Sequence, residues 1–274
     1  MSSGRLYLVA TPIGNLGDLT HRAVETLSRV DFVVCEDTRH SRVLLDHYGL
    51  RKQTVSLPAF DEGSRAGPIL DRLERGESAA LVTDAGSPAV SDPGEALVAQ
   101  ALERGLEVTP IPGPTALVAA LSASGLPTAR FHFMGFLPRK VSDREAVLAE
   151  VAALRASLVL YESPRRLVET LGDLMRALGD RRACVARELT KAHEEFARGT
   201  LSSLAEIFGR GEVRGEVAVV VEGRLGEARW VEEEVLAALK QGLARGERLK
   251  ALSGEIARRS GWKAQDVYRL GLKS

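Results

Sequence analysis

The order of apolar runs predicts an α/β protein: two α/β domains with a ligand cleft between them, followed by a small helical unit. Three observations carry this reading. In the first half, three apolar runs each end in Gly, Pro and small polar residues and pass directly into a helix pattern: Leu6 to Thr20 (LYLVATPIGNLGDLT), Ala80 to Gly94 (ALVTDAGSPAVSDPG) and Val108 to Gly125 (VTPIPGPTALVAALSASG). Such punctuation marks strand-to-helix turns that let a ligand approach backbone, and in open α/β sheets ligands sit beyond the carboxyl ends of the strands. Strand and helix signals then keep alternating through EVAVVVEG, and from Trp230 onward only helical periodicity remains.

Each element follows from local pattern. After the first run, residues 18 to 29 place Leu19, Ala23, Val24 and Leu27 on one helical face, with Asp18 or Thr20 as cap. DFVVCE reads as a strand, and Asp37 and Thr38 open a helix to Tyr48 that Gly49 stops. Thr54 to Leu57 is a weaker strand, Gly63 to Arg75 a helix closed by Gly76, and Ser78 to Thr83 a strand. Pro93 suits the first turn of the next helix, where no amide donor is needed. Glu107 to Pro110 leads to the third loop, and the whole order predicts a mostly parallel sheet covered by helices on both faces. SGLPTAR (Ser124 to Arg130) reads as a linker. Beyond it come FHFMGF (strand), Ser142 to Leu154 (helix), SLVLYE (strand), Pro164 to Leu178 (helix), ACVARE (strand), HEEFARG (a short strand), Leu201 to Phe208 (helix) and EVAVVVEG (strand), a second α/β domain of mixed sheet. In the tail, Val235, Leu236 and Leu239, then Leu249, Leu252, Ile256 and Ala257, then Lys263 to Leu270, give three amphipathic segments resembling a helix-turn-helix unit. Its basic residues, Lys240 to Lys273 and including Arg258, outnumber its acidic ones. The expected boundaries are 1–124, 125–228 and 229–274.

Composition narrows the function classes. The chain has 274 residues, 45% of them hydrophobic and 27% charged, which is ordinary for a soluble protein. A formal net charge of zero supplies no global field toward nucleic acid, so any such contact must be local. Cys35 and Cys184 each sit in an apolar strand-like run, which favours buried free thiols and a reducing cytoplasm. The apolar stretch near the start is too short for a signal segment, and no run reaches membrane-spanning length, so an intracellular protein without a membrane partner is expected.

The motifs exclude several chemistries. TPIGNLGD lacks both the GxxxxGK[ST] loop and the full GxGxxG spacing, which disfavours a nucleoside triphosphate or NAD site. The five histidines show no HxxxH or HExxH spacing and the two cysteines are unpaired, so no metal is expected. DAGSPAV is not a nucleophile elbow, since Pro88 follows Ser87. EDTRHS (Glu36 to Ser41) either orients a polar substrate or caps a helix. YESPRR, RELTKAHEE and RGEVAVV put polar groups at strand ends of the second half, and the pairs Arg139/Lys140, Arg165/Arg166 and Arg181/Arg182 are either surface charge or a phosphate track.

Taken in order, LYLVATPIGNLGDLTHRAVETL, CEDTRHSRVLL, VTDAGSPAVSDPG, PIPGPTALVAALSASGLP, FMGFLPRK, LYESPRRL and RELTKAHEE resemble the ribosomal RNA small-subunit methyltransferase I family of the tetrapyrrole (class III) methylases over about residues 5 to 225. The resemblance implies a tetrapyrrole methylase-like fold with S-adenosylmethionine between the two domains. It implies methylation of the ribose 2'-hydroxyl of a cytidine in the decoding region of small-subunit (16S) ribosomal RNA, by a cytoplasmic homodimer. It also implies a cofactor site at Ala85, Gly86, Ser87, Val90, Thr115 and Ala116, with Pro12, Tyr161, Glu162 and Leu189 adding contacts. Where tetrapyrrole methylases usually carry an acidic GGDP turn this chain has AGSP, so no carboxylate contact carries over to Ser87.

Methyl transfer from a sulfonium needs neither metal nor protein nucleophile, but a ribose hydroxyl profits from a base. Glu36, Asp37 or Glu162 is the candidate proton acceptor, with Arg39 and Lys191 as candidate positioning groups. A tetrapyrrole- or diphthine-type methylase of the same superfamily and a ligand-sensing nucleic-acid-binding regulator are the alternatives. The tail reads equally as an RNA contact, a dimer contact or a structural cap.

Overall fold

The computed structural model describes residues 4–58, 61–224 and 230–272, without the side chain of Arg258. The expected 228/229 boundary and Lys273 lie outside the described residues.

The first sheet contains β1 (Arg5–Val9), β2 (Phe32–Cys35), β3 (Gln53–Ser56), β4 (Ala79–Val82) and β5 (Glu107–Ile111) in the order β3-β2-β4-β1-β5, and every pair is parallel. Alternation along these strands divides the core. Leu6, Phe32, Val34 and Leu81 pack on one face with α3 (Glu62–Glu74) and α4 (Glu95–Glu103). Val9, Val33, Cys35 and Val82 pack on the other with α1 (His21–Arg29) and α2 (Thr38–His47). All five strands therefore end on one edge, where the three Gly/Pro loops emerge.

One helix cap resolves the two alternatives, and another helix start differs from expectation. Asp18 lies in a 3-10 turn (Leu16–Asp18), and the cap of α1 is Thr20, whose hydroxyl accepts from Ala23 N at 3.1 Å. Pro93 is not in the first turn of α4, because Gly94 is the N-cap with φ +134°. Gly94 has no side chain to cap with, and Glu62 does so instead, accepting from Gly94 N at 3.1 Å and Leu97 N at 2.8 Å. A Cβ at Gly94 would fall 2.6 Å from Leu81 Cδ2, so only glycine fits this turn.

The second sheet is mixed: β6 (Phe131–Phe136), β7 (Ser157–Glu162), β8 (Arg182–Arg187), β9 (Glu195–Thr200) and β10 (Val217–Val221), in the order β6-β7-β10-β8-β9. β6 and β7 are parallel, and the other pairs are antiparallel. The segment read as a short strand, HEEFARG, holds five of the six residues of β9 in register with β8, and Thr200 adds the sixth. Helices α6 (Val141–Val151), α7 (Leu167–Leu178) and α8 (Leu201–Phe208) cover one face. The other face is covered by α5 (Ala116–Ala123), which follows the third loop and seats Ala120 and Leu121 against Val159, Cys184, Ala218 and Val220. Arg198 ties down its end, donating to Ala123 O at 2.5 Å and Ser124 O at 3.2 Å. The loop before α5 thus spans both sheets.

α9 (Glu232–Ala244), α10 (Leu249–Ser260) and α11 (Ala264–Gly271) enclose a separate small core of Val235, Leu239, Leu252, Ile256 and Val267. Both cysteines are buried and free. No described helix is long and apolar enough to cross a membrane.

Candidate functional site

The loops at the carboxyl edge of the first sheet are locked together before they reach the cleft. Thr11 and Gly86 exchange backbone hydrogen bonds (Thr11 N to Gly86 O 2.8 Å, Gly86 N to Thr11 O 3.1 Å), and the Thr11 hydroxyl donates to Thr83 O at 2.9 Å. Beyond this clip the chain enters the left-handed region at Ala89 (φ 63°) and Ser91 (φ 65°). On the opposite side, in the loop after β8, Glu188 (φ 52°) and Thr190 (φ 65°) do the same. Left-handed non-glycine residues cost on the order of 1–3 kcal/mol each and persist where surrounding bonds over-determine them. Here Val90 N donates to Ser87 O (3.4 Å), Glu188 N to Glu216 O (3.0 Å) and Thr190 N to Glu194 Oε2 (2.7 Å). All the described non-glycine residues with positive φ flank this one cleft.

Between these loops lies a cavity of about 470 Å³. Ala85, Gly86, Ser87 and Val90 form one wall, Thr115 and Ala116 a second, and Tyr161, Glu162, Leu189, Ala186 and Ala218 face them from the second sheet. Glu36 also lines it. The other residues expected at the site do not: Pro12 sits beside the Thr11–Gly86 clip with Ile13 reaching the cavity in its place, and Asp37, Arg39 and Lys191 lie outside the lining. Asp84, Ser91, Asp92, Phe136, Ser163, Pro164, Gly215, Glu216 and Val217 line it without having been singled out as site residues. Asp84, Ser91 and Asp92 sit within a loop already marked by its Gly/Pro content. Gly215 to Ala218 fall in RGEVAVV, which is marked only by polar groups at a strand end, because β10 reaches the cleft through its central, antiparallel place in the second sheet.

The acidic groups divide by environment. Asp37 caps α2, accepting from Arg39 N at 2.8 Å and pairing with Arg39 Nη2 at 2.9 Å, and these bonds hold its carboxyl down to about 2. Glu162 is buried, accepting from Ser163 N and from the Thr170 hydroxyl at 2.7 Å each, with Arg166 Nη2 at 3.5 Å. Both are committed to holding structure. Glu36 makes no hydrogen bond through its carboxylate to another described residue, and burial, with Asp84, Asp92 and Asp37 nearby, pushes it up. Burial also pushes up Asp92, against a contribution from the Thr83 hydroxyl. Asp84 Oδ1 is buried with no partner among the described residues. Glu36, Asp84 and Asp92 thus share one wall without a cationic partner among the described residues.

Opposite them, Tyr161 donates nothing to the acids. Its hydroxyl accepts from Leu117 N at 3.0 Å, and burial raises its pKa, so the phenol stays neutral. Lys191 bridges Glu188 Oε1 (2.8 Å) and Glu216 Oε2 (3.0 Å). Burial opposes its charge, but the two carboxylates outweigh this and its pKa is raised. Its stem rests on the first loop: a Cβ at Gly14 would lie 2.6 Å from Lys191 Cγ. Arg39 is spent on Asp37. Among the described residues no group of three or more His, Cys, Asp or Glu could hold a metal ion.

Residues 5–205 match the Tetrapyrrole (Corrin/Porphyrin) Methylases. A Mesorhizobium japonicum protein named Ribosomal RNA small subunit methyltransferase I is 47% identical over 266 residues, covering 96% of this chain and 90% of its own. A protein of the same name from Synechocystis is 44% identical over 273 residues, 98% of each chain. Among solved structures, uroporphyrin-III C-methyl transferase from Thermus thermophilus complexed with S-adenyl homocysteine superposes with TM-score 0.59 at 23% identity, over 80% of this chain and 97% of that one. A diphthine synthase gives TM-score 0.60 at 17% identity, over 80% of this chain and 90% of that one. These two likenesses show the fold.

Proposed function

Since the chain belongs to the tetrapyrrole methylases and, within them, to the ribosomal RNA small-subunit methyltransferase I family, we propose that it methylates the ribose 2'-hydroxyl of a cytidine in the decoding region of 16S ribosomal RNA, with S-adenosylmethionine as donor. One observation carries the reading beyond family membership: of the carboxylates that line the interlobe cavity, Glu36, Asp84 and Asp92 have no cationic partner among the described residues. Its volume of about 470 Å³ falls in the range of roughly 300–1,000 Å³ found for small-molecule sites.

The residues present fit this donor. The buried, unpartnered Asp84 Oδ1 has a hydrogen-bond position to fill. Unpaired acids suit a ligand that carries ammonium and sulfonium charges. Ala85, Gly86, Ser87, Val90, Thr115, Ala116, Tyr161 and Leu189 would hold it through backbone groups and small apolar contacts. When bound, the sulfonium supplies an electrophilic methyl group.

The chain's own work is to exclude water, hold the acceptor and take its proton. Glu36 is the proton acceptor in this reading. Of the three candidates it alone lines the cavity with a free carboxylate, and its raised pKa makes it a stronger base than an ordinary glutamate. Asp37 and Glu162 keep their structural bonds. Lys191 and Arg39 act by fixing loops, Lys191 by pinning the first loop at Gly14 and Arg39 by closing the cap of α2. The reaction belongs to the cytoplasm, and the resemblance supports a homodimer, which sedimentation of the purified protein tests. Mass-spectrometric comparison of 16S ribosomal RNA nucleosides from cells with and without this protein tests the activity. Loss of one 2'-O-methylcytidine is expected, and an unchanged nucleoside profile contradicts it.

A further inference from the structure

The motif FMGFLPRK contains an aromatic side chain that the donor site leaves unused. Phe136, the last residue of β6, lines the cavity yet is 58% exposed, and it is the only exposed large aromatic residue among the described ones that does so. Its place is built. The pairing of β6 with β7 shifts register between Phe133 and Phe136, and Gly135 inside the shift has φ +58°. Such bulges re-aim side chains next to active sites. A Cβ at Gly135 would lie 3.0 Å from Ser91 Oγ, so the bulge is pressed against the loop that carries Ser87 and Val90.

The ring is also backed and its segment anchored. Its centroid lies 5.7 Å from that of Tyr161 at a 60° tilt, and Tyr161 is in turn edge-on to Phe133 at 5.0 Å. Arg166 donates to Leu137 O (3.2 Å) and Pro138 O (3.1 Å). Arg144, 1% exposed, donates to Pro138 O (3.2 Å) and Arg139 O (3.1 Å). Two guanidiniums thus fix the backbone that follows Phe136. Arg139 itself is exposed with no ion pair to another described residue.

We propose that Phe136 is the stacking platform for the unstacked base of the acceptor nucleotide, with Arg139 beside it for the neighbouring phosphate, an assignment that rests on the RNA-methylating function proposed above. Single-stranded RNA is held by stacking its splayed bases on aromatic side chains, and fixing the base in this way also fixes the ribose whose 2'-hydroxyl reacts. Stacking accepts any base, so Phe136 supplies affinity and position, and base identity is read elsewhere.

The test is steady-state methylation of purified small ribosomal subunits by Phe136→Ala, Phe136→Leu and Phe136→Trp, with calorimetric binding of S-adenosylhomocysteine to each. The Ala and Leu variants should raise KM for the subunit roughly tenfold to a hundredfold, Trp should stay near the unaltered value, and the affinity for S-adenosylhomocysteine should not move. Should the Ala variant fail to fold, the Leu and Trp pair decides. A Leu variant as good as Trp, an unchanged KM in the Leu variant, or a loss confined to S-adenosylhomocysteine affinity overturns the assignment. Failure of the unaltered enzyme to methylate small subunits overturns the function itself, and is seen before any variant is made.

Discussion

The two lobes treat their acidic side chains in opposite ways. In the second lobe Glu162 is held by Arg166 and Thr170, Asp173 by Arg144 and Arg176, and Glu188 by Lys191. In the first lobe some acids away from the cleft are paired too, as Asp61 with Arg65 and Glu77 with Arg72. Glu36, Asp84 and Asp92 are gathered at the cavity instead, with no ion pair to another described residue. Three acids gathered on one cavity wall without an ion pair to another described residue, two of them with pKa values raised first by burial, point to a use for their charge at that site. The second lobe uses charge to hold shape. The first lobe keeps it available for chemistry.

The largest effect belongs to Glu36. Glu36→Gln should slow single-turnover methyl transfer to small subunits by about a hundredfold to ten-thousandfold with donor affinity nearly kept. The unaltered enzyme should lose kcat/KM as pH falls through the raised pKa of Glu36, because only its ionised form takes the proton, so the acid limb should lie above the ordinary carboxylate range. Next comes the paired lobe. Asp173→Ala leaves the buried Arg144 without its buried partner, and chemical denaturation should show a loss of about 3–5 kcal/mol.

A smaller effect, of opposite sign for stability and function, is expected at Asp92. Its raised folded pKa means that ionisation at neutral pH opposes folding. Asp92→Asn should therefore raise the melting temperature at neutral pH, with the gain vanishing once pH falls below the ordinary carboxylate range. It should also weaken S-adenosylmethionine by roughly tenfold while leaving the uncharged-sulfur product S-adenosylhomocysteine nearly unaffected. The smallest effect belongs to Asp37. Its carboxyl should titrate at about 2 by NMR, its stabilising cap being present above the ordinary value and lost as pH falls toward that point. Asp37→Ala should leave the transfer rate near the unaltered level.

The same contrast explains what was legible in the sequence. Much of the first sheet follows from local pattern, since β2 and β4 are unbroken apolar runs and the loops after β1, β4 and β5 are marked by Gly and Pro. That pattern marks the loops that carry Ala85 to Val90 and Thr115 and Ala116, while the choice of those residues within them comes from the family resemblance. The second lobe's share was less so. Gly215 to Ala218 reach the cavity through strand order, and Phe136 through a bulge, neither of which leaves a local periodicity. Charge was the hardest to read. Glu36, Asp37 and Glu162 look alike in sequence; Asp37 and Glu162 are bonded by near neighbours such as Arg39 and Thr170, whereas the carboxylates beside Glu36, Asp84 and Asp92, are distant in sequence and meet it only in the fold.

The central claim is that the methyl donor occupies the space between the lobes, against the unpaired acids. A crystal structure of this protein with S-adenosylhomocysteine diffused in measures it directly. The account expects ligand density bounded by Ala85 to Val90, Thr115 to Ala116 and Leu189, within hydrogen-bond reach of Asp84. Density at another surface, with this cavity holding only solvent at saturating ligand, would contradict it.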